Sequence, residues 1–176
     1  MIFAHDTEES LLAAVELVNS AEEPDTLTEI DQLDAFFAEH VYTGVHTGDA
    51  AELAAVRALR APLRRMLTSD RDTTTRLVNE TLAEHRAVPQ LVRHGKVDYH
   101  IHAVPAEAPF PVRIAVETAM ALIDLIRTDE LSRLSICADN ACEGIVLDLS
   151  RNRSRRYCST ACGNRNAVAA YRARKK

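Results

Sequence analysis

All four cysteines of this chain fall in one 26-residue span, as Cys137, Cys142, Cys158 and Cys162 in the arrangement C-x4-C-x15-C-x3-C. Two close pairs with a loop between them suit a tetrahedral ion, because each pair grips one edge of the tetrahedron and the intervening segment wraps around it. Four thiolates are the right ligand chemistry for zinc, and they leave no coordination position for water or substrate. The expectation is therefore one structural Zn2+. Asp139, Glu143 and Asp148, the acidic residues between the cysteines, are expected to be solvated. Three other arrangements compete: two disulfides, which a reducing compartment disfavours; free buried cysteines; and an iron–sulfur cluster, whose usual spacings are shorter.

The charge is divided as sharply as the cysteines. Residues 150–176 carry nine Arg or Lys and no Asp or Glu, whereas residues 1–149 carry 12 basic and 26 acidic groups, so a net charge of −5 conceals two parts of opposite sign. A cationic end gains affinity for a polyanion by displacing counterions from phosphates; the alternative is a tail folded back on its own acidic body. Met1–Ala4 leads directly into His5, Asp6, Glu8 and Glu9, which does not read as a secretory signal, so a cytoplasmic location is expected. Apolar runs such as Leu11–Val15 and Ala119–Ile123 are far too short for a membrane span.

With no tryptophan and 5% aromatic residues, the core must be built from Ala, Leu, Val and Ile, which favours helices. Apolar stripes predict a helix over Ser10–Asn19, capped by Thr7 or Ser10, and a second from a Thr26–Glu29 capping box to about His40. A long run capped by Asp49 follows, with Pro62 as a kink, and then a helix from Thr73 to His85. Gln90–His94 and Val97–Ala103 read as a β-hairpin turning at Gly95–Lys96, with Val97, Tyr99 and Ile101 on one face and Asp98, His100 and His102 on the other. Ile114–Thr128 is a further helix, joined through Leu131, Leu134 and Ile136 to the cysteine module. Within that module, Gly144–Leu149 and Arg156–Tyr157 are expected to form a hairpin, and Ser159 or Thr160 to cap a helix running to about Arg174. The fold class is α+β: a mainly helical N-terminal domain, residues 1–133, with a small hairpin, and a treble-clef-like zinc finger, residues 134–176. No flexible linker separates them, so the two are expected to pack together.

Cys162-Gly163-Asn164-Arg165, with Leu147-Asp148-Leu149-Ser150-Arg151 and Arg155-Arg156-Tyr157-Cys158-Ser159 before it, resembles the CGNR zinc-finger family. The likeness continues through Ala169-Ala170-Tyr171-Arg172-Ala173-Arg174. Leu17-Val18-Asn19-Ser20 followed by Asp25-Thr26-Leu27 is similar to the start of that family's N-terminal region, the ABATE domain. Ser20 stands where a threonine is usual and Tyr157 where tryptophan is common; neither touches a ligand position. The resemblance implies a bacterial transcription regulator, induced by stress, and supports the zinc ligands residue by residue; DNA binding follows from it only as an expectation.

Double-stranded DNA would be met by Arg165, Asn166, Arg172 and Arg174 on the last helix, with Arg165 and Arg172 seven residues apart on one face, and by Arg151, Arg153, Arg155 and Arg156 before it. Arg165 has a second reading, as a brace for the zinc knuckle, and Asn164 a second reading as a turn residue. The acidic body is expected to sense a small-molecule effector or to form a homodimer. Asn19, His100 and His102 are its candidate ligand-binding residues, although paired histidines also serve simply as a polar sheet face. Neither a G-x-S-x-G motif nor a phosphate-binding glycine loop is present, which argues against an enzyme. The competing function is an adaptor whose finger grips a protein partner or RNA.

Overall fold

The computed structural model describes residues 3–94 and 97–175, the side chains of His94 and Val97 aside. The expected turn at Gly95–Lys96 lies outside the described residues. Seven α-helices, one short 3-10 helix and two small antiparallel sheets are formed among them, and no helix is long and apolar enough to cross a membrane.

Helix α1 (His5–Asn19) lies along α6 (Phe110–Arg127), and this pair is the axis of the body. Leu11, Leu17 and Val18 of α1 meet Ile114, Leu122 and Leu125 of α6 in a core where all are essentially inaccessible. Around the pair lie α2 (Ile30–Glu39), α3 (Ala50–Ala58), α4 (Arg60–Thr68) and α5 (Arg71–Glu84). They contribute Leu33, Phe36, Val56, Leu63 and Val78 to the same core.

The helical stripes appear where the sequence places them, but several boundaries move. α1 begins at His5, one and a half turns before Ser10, and has no side-chain cap. Thr7, expected as a cap, is buried and donates instead to Asp124 on α6 at 2.6 Å. The capping box of α2 is shifted by three residues, with the Gln32 side chain accepting from the backbone N–H groups of Thr28 and Glu29. The long run breaks at Leu59 rather than at Pro62; Pro62 falls in the first turn of α4, where its missing N–H forfeits no helical bond. α5 starts at Arg71, two residues before Thr73, and is capped by Asp70.

Strands β1 (Gln90–His94) and β2 (Val97–His102) pair antiparallel, with Leu91 opposite Ile101 and Val92 opposite His100. Tyr99 and Ile101 face solvent, so this sheet contributes little to the core.

The second sheet corrects an expectation. β4 (Ile145–Leu147) pairs with β3 (Leu134–Ile136), in the register Leu134 opposite Leu147, and not with Arg156–Tyr157. The chain at Arg156 contributes a single bond instead, its carbonyl accepting from Ala138 N at 2.9 Å. The knuckle bearing Cys137 and Cys142 is thus the turn of the hairpin, rather than a piece preceding it. β4 is buried on both faces: Ile145 and Leu147 join the helical core, while Val146 packs against the cysteines. The last helix, α7 (Thr160–Arg174), starts as expected, with the Ser159 hydroxyl accepting from Cys162 N.

Candidate zinc site and basic helix

The four sulfurs converge so that all lie within 4.8 Å of one another. Cys142 and Cys158 Sγ are 3.5 Å apart, and Cys158 and Cys162 Sγ are 3.7 Å apart. A disulfide needs about 2.05 Å, so these pairs are not bridged. Zinc–sulfur bonds of about 2.3 Å give a tetrahedron whose edges are about 3.8 Å, close to both separations. The donor set therefore fits one zinc ion, held by four thiolates and closed to further ligands.

The sulfurs are approached by hydrogen-bond donors as well. Cys158 N points at Cys137 Sγ and Gly144 N at Cys142 Sγ, both at 3.4 Å, offsetting thiolate charge that zinc alone does not neutralise. Gly144 is required by space: a Cβ there would stand 2.9 Å from Cys158 Sγ and 3.3 Å from Cys142 Sγ. Gly163 carries no such demand, since a Cβ there would meet only Tyr157 at 3.6 Å, an ordinary contact.

Arg165 braces the knuckle. Its Nη2 donates to Cys162 Sγ at 3.0 Å and its Nε to Asp139 Oδ2 at 2.8 Å, so one guanidinium ties α7 to the β3–β4 turn. The partners are a thiolate and a carboxylate. Two acidic residues expected in solvent are buried: Asp139, and Asp148, which accepts from Ser150 N at 2.8 Å and Arg155 N at 2.7 Å. Hydrogen bonding to the Ala141 N–H, then to Arg165, holds the Asp139 carboxyl below its ordinary range. Glu143 is exposed, as expected. The i, i+3 spacing of Cys162 and Arg165 is the one signal from which the brace was readable.

The remaining arginines divide into tethered and free. Arg153 is paired with Glu130 at 2.7 Å, and Arg155 donates to the carbonyls of Tyr157 and Cys158. Asn166 donates to the Cys162 carbonyl one turn back in its own helix. Arg151, Arg156, Arg172 and Arg174 are exposed, and among the described residues none of their side chains is engaged. After Cys162, α7 leaves the body, and Arg165 and every residue from Ala167 to Arg174 are exposed. Asn164 is exposed too.

On the acidic body, Asn19 proves to be a structural tie. Its Nδ2 donates to Ile145 O at 2.8 Å and its Oδ1 accepts from Ile145 N at 2.6 Å, docking β4 on the end of α1. Asp25 receives Arg60 through both terminal nitrogens, at 2.9 and 2.8 Å, and that hydrogen-bonded guanidinium holds its carboxyl far below the usual range. His100 and His102 do come together, Nε2 to Nε2 at 2.9 Å, beside a cavity bounded by α1, β2 and α6.

Comparison with known proteins divides the chain between residues 129 and 133. Residues 133–175 match the CGNR zinc finger, and residues 12–129 match the ABATE family, described as "Putative stress-induced transcription regulator". No curated protein matches the chain.

Proposed function

Since the chain belongs to the ABATE family and ends in a CGNR zinc finger, we propose that it is a DNA-binding transcription regulator, its body (residues 1–133) sensing a small molecule and its finger (residues 134–176) binding the duplex. The observation that carries this reading is α7, a basic helix whose first turn is fixed to the zinc site and whose remainder is free of the body. An α-helix fits the major groove, and a cationic one is drawn to it by the phosphates. Arg172 and Arg174 are the side chains for base edges or phosphates on that helix, while Arg151 and Arg156 suit the flanking backbone. Arg165, spent on Asp139 and Cys162, supports the helix instead.

A second reading has one observation behind it. Val168 and Tyr171, three residues apart on α7, are about half exposed (48% and 52%), an apolar pair suited to a protein partner or to stacking on RNA bases.

The test is fluorescence anisotropy with labelled random duplex DNA across a salt series. Each neutralised phosphate contributes about −0.9 to the slope of log K against log salt, so four free arginines predict a slope of about −3 to −4. Arg172→Ala with Arg174→Ala should reduce it by about two. A flat salt response would sink the DNA reading. Capture of single-stranded RNA at lower concentration than duplex would transfer the function to the second.

A further inference from the structure

A cavity of about 470 Å³ opens in the acidic body between α1, the loop after α2, β2 and α6, within the size range of small-molecule pockets. Its floor is apolar, made by Ala13, Met120, Ala121 and Ile123. Its four carboxylates, Asp6, Glu9, Glu117 and Asp124, outnumber its one arginine, Arg127, and His5, His40, His100 and His102 share the lining.

Two polar groups in its wall are unsatisfied. The Tyr42 hydroxyl oxygen is fully buried and has no hydrogen-bond partner among the described residues. It is enclosed by Phe36, Phe37 and Phe110, rings that offer it no strong acceptor. Glu117, on α6, is likewise without a hydrogen bond among the described residues, although Asp6 and Asp124 around it are bonded to Ile101 N and Thr7 Oγ1. A buried hydroxyl left unpaired is costly, and a ligand that bonded to it and to the half-buried Glu117 carboxyl would remove that cost.

We infer that this cavity binds a small amphipathic organic cation, a protonated amine on an apolar body, with Glu117 as its counter-charge and Tyr42 as its second polar contact. An anionic ligand would meet four carboxylates. A neutral ligand would add nothing to the attraction that Arg113 already exerts on Glu117. The apolar floor takes the hydrocarbon part, and Asp6 and Asp124, already fixed by their own hydrogen bonds, lend their field without reorganising. Burial, with repulsion from Asp6 and against the attraction of Arg113, raises the Glu117 carboxyl to about 7, so an arriving ammonium would find a group ready to ionise against it.

The inference deepens the sensing role proposed above by naming its effector class, but the binding stands apart from that role. It is tested by isothermal titration of the full-length, zinc-loaded protein with phenethylamine, cyclohexylamine and hexylamine, each beside its matched alcohol and carboxylic acid. At least one amine should bind saturably and at least tenfold more tightly than both of its matched analogues. Glu117→Gln should weaken it at least tenfold. Met120→Trp, which fills the floor, should abolish binding while the circular dichroism and zinc content stay those of the parent. Equal binding of amine and alcohol, preference for the acid, no saturable binding by any amine, or wild-type affinity in Glu117→Gln each overturns the inference. Amine binding that leaves duplex affinity unchanged supports the pocket and overturns the sensing role.

Discussion

Asn19 and Ile145 are 126 positions apart, yet the side-chain amide of one pairs with both backbone polar groups of the other, as a neighbouring strand would. The amide thereby completes the bonding of β4 where it passes the end of α1, and it joins the acidic body to the zinc module.

Asn19→Ala removes two hydrogen bonds and strands the N–H and carbonyl of Ile145 in a partly buried place. A loss of about 2–4 kcal/mol is expected in urea unfolding. Asn19→Asp should be nearly as costly, since a carboxylate still accepts from the N–H but opposes the carbonyl. Zinc stoichiometry should remain one per chain in both. A cost below about 0.5 kcal/mol would show that apolar packing alone docks β4.

Gly144→Ala forces a methyl group to within 2.9 Å of Cys158 Sγ, and the knuckle must open to admit it. Zinc affinity, measured by competition with a chromophoric chelator, should fall at least tenfold, the scale on which disturbances next to ligands act. Gly163→Ala, with room for its methyl, serves as the control and should keep parental affinity.

Arg165 and Arg172 sit on the same face of α7 but are assigned different work. Arg165→Ala is expected to weaken zinc binding by about 10–100-fold, because a donor to Cys162 Sγ and the tie to Asp139 go together. Arg172→Ala should leave zinc affinity alone and weaken duplex binding. Were the two variants to behave alike in the chelator assay, Arg165 would not be a brace.

Glu117 gives the body a pH signature. Desolvation raises its carboxyl from 4.5 to about 7 in the fold, against the attraction of Arg113 and with the repulsion of Asp6. The folded state therefore holds more protons than the unfolded one between these values. Its contribution to stability is complete below about pH 4.5 and is lost as pH rises through about 7. Glu117→Gln should flatten the decline and make the variant the more stable protein at pH 8, by chemical denaturation at constant ionic strength. Parallel stability curves for the two proteins would refute this.

The cysteine spacing and the apolar stripes were legible because each is a local pattern: two close pairs announce a tetrahedral grip, and Leu11, Val15 and Val18, like Ile30, Leu33 and Phe37, recur at the helical period. The pairing of β3 with β4 was not, for a reason of length. Three residues carry too little alternation to name a partner, and β4 shows none, because both of its faces are buried. The caps slipped because Thr7 and Thr26 are chemically able to cap; Thr7 is drawn away by a bond to Asp124, which only the tertiary fold supplies. Asp139 and Asp148 looked like surface acids until the backbone N–H groups and guanidinium that hold them were in place. The cavity was beyond reach altogether, since Asp6, Tyr42 and Glu117 meet only after α1 and α6 have packed.

The double burial of β4 also separates two meanings of the word module. The family boundary falls between residues 129 and 133, and a gene fusion joining pieces there would look clean on paper. Physically the cut is elsewhere: Ile145 and Leu147 are written in the finger but are packed as part of the body. An excised finger would present two aliphatic side chains to water, and the remaining body would have a groove where they had been. Neither half is a spare part, and a chimera that exchanges the finger must bring a matching surface on α1 with it.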